Sequence, residues 1–128
     1  MPFDSPHSRS IRDLDILLEA RGHISGKNSW VKWRFQDGNG YCLVGALSLA
    51  CGSPEFNVPS QTELRIAQLL AKQLPREAAW WTRLEFVAVR TRLMSFNDHP
   101  RTTHEDVLAV YDRSIHCLAS RIREPILV

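Results

Sequence analysis

Cys42 is the residue of this sequence that is best placed to act as a nucleophile. It follows a glycine-rich turn and opens the most apolar segment of the chain, residues 41–52. If that segment is a short helix, its free N–H groups and its dipole favour a thiolate, which lowers the pKa of the thiol. A cysteine hydrolase or acyl transferase also needs a histidine base, for which His99 and His104 are the candidates. The simpler interpretation is that Cys42 packs as a small apolar residue beside Gly45.

The segment 96–105 holds the polar side chains that would complete such a site. Asp98 or Asn97 would orient the imidazole of the base. With Arg101, the same two residues form a candidate binding site for a small polar or anionic ligand, because the segment precedes a capped helix start. The alternative is that Asn97 and Asp98 bond to nearby backbone donors and set a turn.

No metal, cofactor or nucleotide site is predicted. His99 and His104 lie five residues apart across a helix start, and this spacing matches no structural or catalytic zinc pattern. The chain has no GxxxxGK[ST], GxGxxG or GxSxG motif, so nucleotide-loop and serine-hydrolase functions lack support.

The basic residues give little reason to expect nucleic-acid binding. The net charge of +2 and the pI of about 8.6 are mild for a dedicated binder. Arg76, Arg83 and Arg90 follow one another at intervals of seven and would share one face of a helix. A solvated helix surface is the simpler interpretation of this stripe, and weak nucleic-acid binding is the alternative.

The elements that position these residues are predicted to be helices. Residues 1–8 have the composition of a flexible N-terminal arm, and residues 9–128 that of a single helical domain. Ser8 or Ser10 would cap a first helix that ends at Gly22.

The middle of the chain contains the only predicted strand. Trp30–Phe35 is rich in aromatic and β-branched residues, and the turn after it allows at most one small β-hairpin. The apolar segment 41–52 predicts a closely packed helix. A capping box at 60–63 then opens another helix, with Leu64 in its apolar stripe.

Two further helices complete the predicted fold. Pro75 would begin the first of them, a loop would follow at 96–101, and a capping box of Thr102 and Glu105 would open the last helix. The sequence therefore predicts a mainly α fold, a compact bundle of about five helices with at most one small β-hairpin.

Composition favours a reduced, cytoplasmic setting. Cys42, Cys51 and Cys117 form no CxxC pair and fit neither a disulfide framework nor a zinc site. The first residues are polar and lack an apolar signal core, and no apolar run approaches the roughly 20 residues of a membrane span. We therefore expect no membrane partner.

Five short motifs are spread along most of the chain. In chain order they are Arg21–His23, Tyr41–Leu47, Phe96–Asp98, Arg101–Thr102 and Val107–Ala109. Their order resembles the RGW, YCLxGAL, WND, RT and EVL pattern of an uncharacterised family of small bacterial and phage proteins, a domain of unknown function. The resemblance covers about residues 11–118. His23 and Phe96 stand where that family tends to have Trp, and Asp106 stands where it has Glu.

The resemblance implies that the Cys42 segment and the Asn97–Asp98 pair are the two marks of the family. It implies no reaction, substrate or cofactor. If the two segments meet, one structural account is that Asn97 or Asp98 accepts hydrogen bonds from the free N–H groups that begin the Cys42 helix.

Three functions are compatible with these observations. The first is a non-enzymatic accessory or protein-interaction module, which an exposed Trp80–Trp81 pair would support. The second is a cysteine-dependent hydrolase or acyl transferase with Cys42 as nucleophile. The third is a weak nucleic-acid binder that uses the arginine stripe. We expect the first, with a protein partner that the sequence does not identify.

Overall fold

Helices make up most of the structure, a computed structural model that describes residues 5–53, 58–76 and 88–123. The elements in chain order are α1 (Pro6–His23), β1 (Gln36–Asp37), β2 (Gly40–Tyr41), α2 (Leu43–Ala50), α3 (Gln61–Ala71), α4 (Val89–Asp98) and α5 (His104–Arg123). The two strands pair antiparallel as a short hairpin. The five helices and one hairpin formed by these residues confirm the predicted mainly α fold. Within the described residues, no helix has the length and apolar character needed to cross a membrane.

The centre of the core is α2. Its residues from Leu43 to Ser48 are all buried, and the helix packs against α1, α3 and α4. A Cβ atom on Gly45 would lie only 2.0 Å from the carbonyl oxygen of Phe35, so this close crossing of backbone over helix requires glycine. Tyr111 of α5 is fully buried as well, and its hydroxyl donates to the carbonyl of Leu43 at 2.7 Å.

The first helix begins one turn earlier than predicted. The side chain of Ser5 accepts a hydrogen bond from the N–H of Ser8 at 3.0 Å, so Ser5 is the cap rather than Ser8 or Ser10. Pro6 then occupies the first turn, where its missing N–H leaves no bond unmade.

The capping box of the last helix lies one residue later than predicted. Thr103 Oγ1 accepts from the N–H of Asp106 at 3.2 Å, and the Asp106 carboxylate accepts from the N–H of Thr103 at 2.9 Å. This reciprocal pair replaces the predicted pair of Thr102 and Glu105. Aspartate reaches back to the cap residue just as glutamate would.

The predicted strand at Trp30–Phe35 is wrong. The hairpin forms just after it, at 36–41, and only Trp30 makes an isolated bridge, to Tyr41. Trp33 explains the difference, because its φ of 70° lies in the left-handed region and interrupts an extended strand.

The predicted loop at 96–101 is also partly wrong, because Asn97 and Asp98 are the last two residues of α4. The helix predicted from Pro75 falls mainly on residues 77–87. These lie outside the described residues, as do the Trp80–Trp81 pair and Arg83.

The buried face of α3 matches the predicted apolar stripe at Ala67 and Leu70 but not at Leu64. Leu64 is exposed, and the core positions include Ile66 and the fully buried Glu63. Ser60 Oγ accepts from the N–H of Glu63 at 3.1 Å, which forms one half of the predicted capping box. The Glu63 carboxylate turns inward instead of closing the other half, toward Ser48 of α2.

Candidate functional site

Asn97 joins three separate parts of the chain through one buried carboxamide. Its Oδ1 accepts from the N–H of Leu43 at 3.0 Å and from the indole N–H of Trp30 at 2.7 Å. Its Nδ2 donates to the carbonyl of Val31 at 3.1 Å and to Asp98 Oδ1 at 3.0 Å. All four hydrogen-bonding positions of the side chain are therefore filled. The two segments marked by the family resemblance therefore meet, and the bond to Leu43 is of the kind expected if they did.

His104 belongs to the same junction. Its ring is stacked on Trp30, with ring centroids 5.6 Å apart and planes at 5°. Its Nε2 donates a hydrogen bond to the carbonyl oxygen of Ile24. A backbone carbonyl cannot donate, so this bond fixes the proton on Nε2. His104 thus packs the segment after α1 against Trp30.

Cys42 is the N-cap of α2, and its thiol faces inward. Only 4% of the residue is exposed, and Sγ accepts from the N–H of Gly45 at 3.2 Å. Burial raises the pKa of the Cys42 thiol, the N–H groups of Gly45 and Val44 lower it, and the charge of Asp98 raises it again, for a net rise. The expectation of a lowered thiol pKa is therefore wrong, because desolvation outweighs the helix N-terminus.

The imidazoles proposed as bases have other partners. His99 Nδ1 accepts from the N–H of Arg101 at 3.1 Å, and the carbonyl of His99 accepts from the ammonium of Lys32 at 2.6 Å. Among the described residues, the hydrogen bonds of His99 and His104 do not include the Cys42 thiol. The hydrogen-bonded pair of nucleophile and base that defines a cysteine hydrolase is not assembled here.

Trp33 is the feature that the sequence did not reveal. Its backbone lies at φ 70°, its N–H donates to Asp98 Oδ1 at 2.7 Å, and 73% of its surface is exposed. Left-handed backbone in a bulky residue is uncommon and costs about 1–2 kcal/mol. The hydrogen bond from the Trp33 N–H to the Asp98 carboxylate helps to hold that conformation. The residues around Trp33 are typical of a strand, so no sequence signal marked this position.

Two neighbouring cavities open beside Trp33, and Met94 and Asp98 line both of them. The smaller cavity, of about 70 Å³, reaches the Cys42 thiol and is also bordered by Arg34 and Phe35. The larger cavity holds about 330 Å³. Its remaining lining residues are Thr91, Ser95, His99 and Pro100. We refer to Trp33, Met94 and Asp98 with these two cavities as the Trp33 surface.

A second polar cluster lies between α2, α3 and α4. The fully buried Glu63 accepts from the hydroxyl of Ser48 at 2.6 Å and from Arg90 Nε at 2.8 Å, and Arg90 also donates to Ser48 at 2.8 Å. Arg90 is therefore directed inward rather than along an exposed stripe with Arg76. The described residues contain no group of three or more His, Cys, Asp or Glu side chains placed to hold a metal ion.

The comparisons with known proteins identify the family of the chain. A model of DUF6197, a family of unknown function, matches residues 8–116, and the chain belongs to that family. No curated protein and no solved structure matches it significantly. The uncharacterised family inferred from the motifs is consistent with this result, and the family brings no activity with it.

Proposed function

We propose that this chain is a non-enzymatic binding module that holds a protein partner on the Trp33 surface. The observation that carries the proposal is the combination at Trp33 of an exposed indole, a left-handed backbone and an adjacent apolar cavity. Strained backbone of this kind persists where the surrounding structure enforces it, and it is concentrated at ligand-binding positions.

Among the residues that the structure describes, Trp33 is the one exposed large aromatic side chain. The other large apolar side chains exposed in the described ranges are aliphatic: Ile11, Leu18, Val58 and Leu64. Tryptophan is the residue type most enriched among the energetically dominant positions of protein interfaces, since one rigid ring buries a large area at little entropic cost.

Hydrogen bonds beneath Trp33 connect its loop to the core of the fold. Asp98 holds the Trp33 backbone, and Asn97 holds Asp98 and the neighbouring Val31. Because Asn97 also bonds to Leu43 at the start of the central helix, the displayed loop is tied to the core of the fold. A surface that is ordered before binding loses less entropy on association.

Affinity capture with matched variants tests the proposal. The wild-type chain, Trp33→Ala and the control Leu18→Ala are immobilised, and proteins retained from an extract of the source organism are quantified. Partners retained by the wild type and by Leu18→Ala should be lost with Trp33→Ala. With a purified partner, calorimetry should show a Kd weakened on the order of tenfold or more by Trp33→Ala. Equal retention by all three chains contradicts the proposal.

One observation favours a second candidate, a hydrolase or acyl transferase that uses Cys42. The thiol lines the smaller cavity together with Asp98, so a small electrophile has a place beside it. The raised thiol pKa and the separate partners of His99 and His104 weigh against this candidate. The rate of Cys42 alkylation in the native protein tests it directly.

A further inference from the structure

We infer that the Trp33 surface receives a basic side chain, arginine or lysine, of the partner protein. This inference rests on the proposed function and names the chemistry that the surface recognises. It is carried by the unequal use of the two carboxylate oxygens of Asp98 beside an exposed aromatic ring.

The Asp98 carboxylate uses only one of its oxygens inside the protein. The N–H of Trp33 and the amide of Asn97 both donate to Oδ1, at 2.7 and 3.0 Å. Oδ2 receives no hydrogen bond from any residue that the structure describes, although Asp98 is half-buried and lines both cavities. A carboxylate oxygen without a partner in the protein is free to accept a strong hydrogen bond from a charged donor.

The apolar walls suit the stem of a basic side chain. Trp33 and Met94 line both cavities, and the larger cavity, at about 330 Å³, is at the lower end of the range of ligand pockets. Arginine and lysine place their methylene groups along apolar surface while the charged end reaches a polar group. The indole face of Trp33 also attracts a cation, and a neutral side chain would not gain this attraction.

Lys32 and Arg34, the cations on either side of Trp33 in the sequence, already have partners. The ammonium of Lys32 is bonded to the carbonyl of His99 and lies 5.5 Å from the centre of the Trp30 ring. Arg34, which borders the smaller cavity, lies 3.9 Å from the carboxylate of Asp37. Because Arg34 lines the smaller cavity together with Asp98, removing its positive charge with Arg34→Gln should strengthen binding of a basic side chain, by about twofold.

The test uses two small probes and NMR. N-acetyl-arginine methylamide and its citrulline counterpart have the same length and shape, but only the first is charged. We expect the arginine compound to shift the backbone and indole N–H signals of Trp33 saturably, and the citrulline compound to bind on the order of fivefold more weakly. Asp98→Asn keeps an oxygen for the Trp33 N–H and should reduce the difference between the probes to the part that the Trp33 ring supplies.

The outcomes separate this inference from the proposed function. If both probes bind equally to the wild type, the surface is apolar in its preference and the inference is overturned, while the proposed function stands. If neither probe shifts Trp33 but Trp33→Ala still abolishes partner capture, the inference alone fails again. If capture does not depend on Trp33, the proposed function fails, whichever probe binds.

Discussion

Replacing Asn97 with Asp is the sharpest test of the junction that supports the candidate site. The substitution keeps the shape of the side chain and an oxygen for the N–H groups of Leu43 and Trp30. It replaces the Nδ2 donor with an oxygen that faces two acceptors, the carbonyl of Val31 and the carboxylate of Asp98. Only the Nδ2 amide group is replaced, by a carboxylate oxygen. The effect therefore reports on hydrogen bonding and charge rather than on packing.

The expected loss of stability from Asn97→Asp is about 3–5 kcal/mol at neutral pH. Two hydrogen bonds are lost, at about 1 kcal/mol each, and a carboxylate is buried without a cationic partner, beside Asp98. Since the free energy of unfolding of small domains is about 5–15 kcal/mol, the variant should remain folded but be much less stable than the wild type.

The same loss should shrink as the pH falls. Burial and the charge of Asp98 raise the pKa of the introduced carboxyl above its unfolded value of about 3.9. Between these two pKa values the native state binds the extra proton, so stability relative to the wild type decreases as pH rises through that window. The penalty is full above the raised pKa. It becomes smallest near pH 4, where the protonated carboxyl again donates a hydrogen bond.

Urea unfolding followed by circular dichroism at pH 5 and pH 7.5 measures both effects. Each variant is compared with the wild type at the same pH. Asn28→Asp, at an exposed position, is the control and should change stability by less than about 0.5 kcal/mol. A loss below about 1 kcal/mol for Asn97→Asp, or a larger loss at pH 5 than at pH 7.5, would refute the reasoning.

Three further experiments test other parts of the fold. Gly45→Ala should lose about 3 kcal/mol or more in urea unfolding because its Cβ meets backbone at 2.0 Å, whereas Gly22→Ala, with open space around it in α1, should gain about 0.5–1 kcal/mol. Arg90→Met should lose about 3–5 kcal/mol because Glu63 stays buried without its cation, and adding Glu63→Gln should recover a large part; no recovery would contradict the ion-pair account. In a chain whose other two cysteines are alanine, Cys42 should resist alkylation at pH 8 until urea unfolds the protein, as intact mass shows; rapid native-state reaction with an apparent pKa near 7 would support the enzyme candidate.

The sequence predicts the helices of this fold better than the contacts between them, because the interactions that define a helix are close in sequence and those between helices are not. Helix starts depend on residues three positions apart, so the caps at Ser60 and Thr103 were predicted at the right place or within one residue. The bond from Leu43 to Asn97 joins residues 54 apart, and no local pattern specifies it. The family resemblance marked both of these segments, but it did not indicate how they meet.

The inward-facing polar residues could not be predicted for a related reason. Glu63 stands at the third position of a capping box, and its pattern indicates a solvated residue that bonds back to the cap. In the fold it is fully buried, because Arg90 from α4 and Ser48 from α2 satisfy its carboxylate there. The partners that make this burial tolerable come from distant segments.

We expect Asn97 to act in folding and its neighbour Asp98 to act in binding. Asn97 has every hydrogen-bonding position filled by the protein, so substitutions there should act on folding. Asp98 Oδ1 accepts from the Trp33 N–H, and no described residue donates to Oδ2, so Asp98→Asn should cost less than about 1 kcal/mol of stability while altering what the surface binds. A structural role for both residues would instead make the two substitutions similarly destabilising. The contrast between adjacent positions on one helix therefore separates a surface built for binding from a helix end that is only well packed.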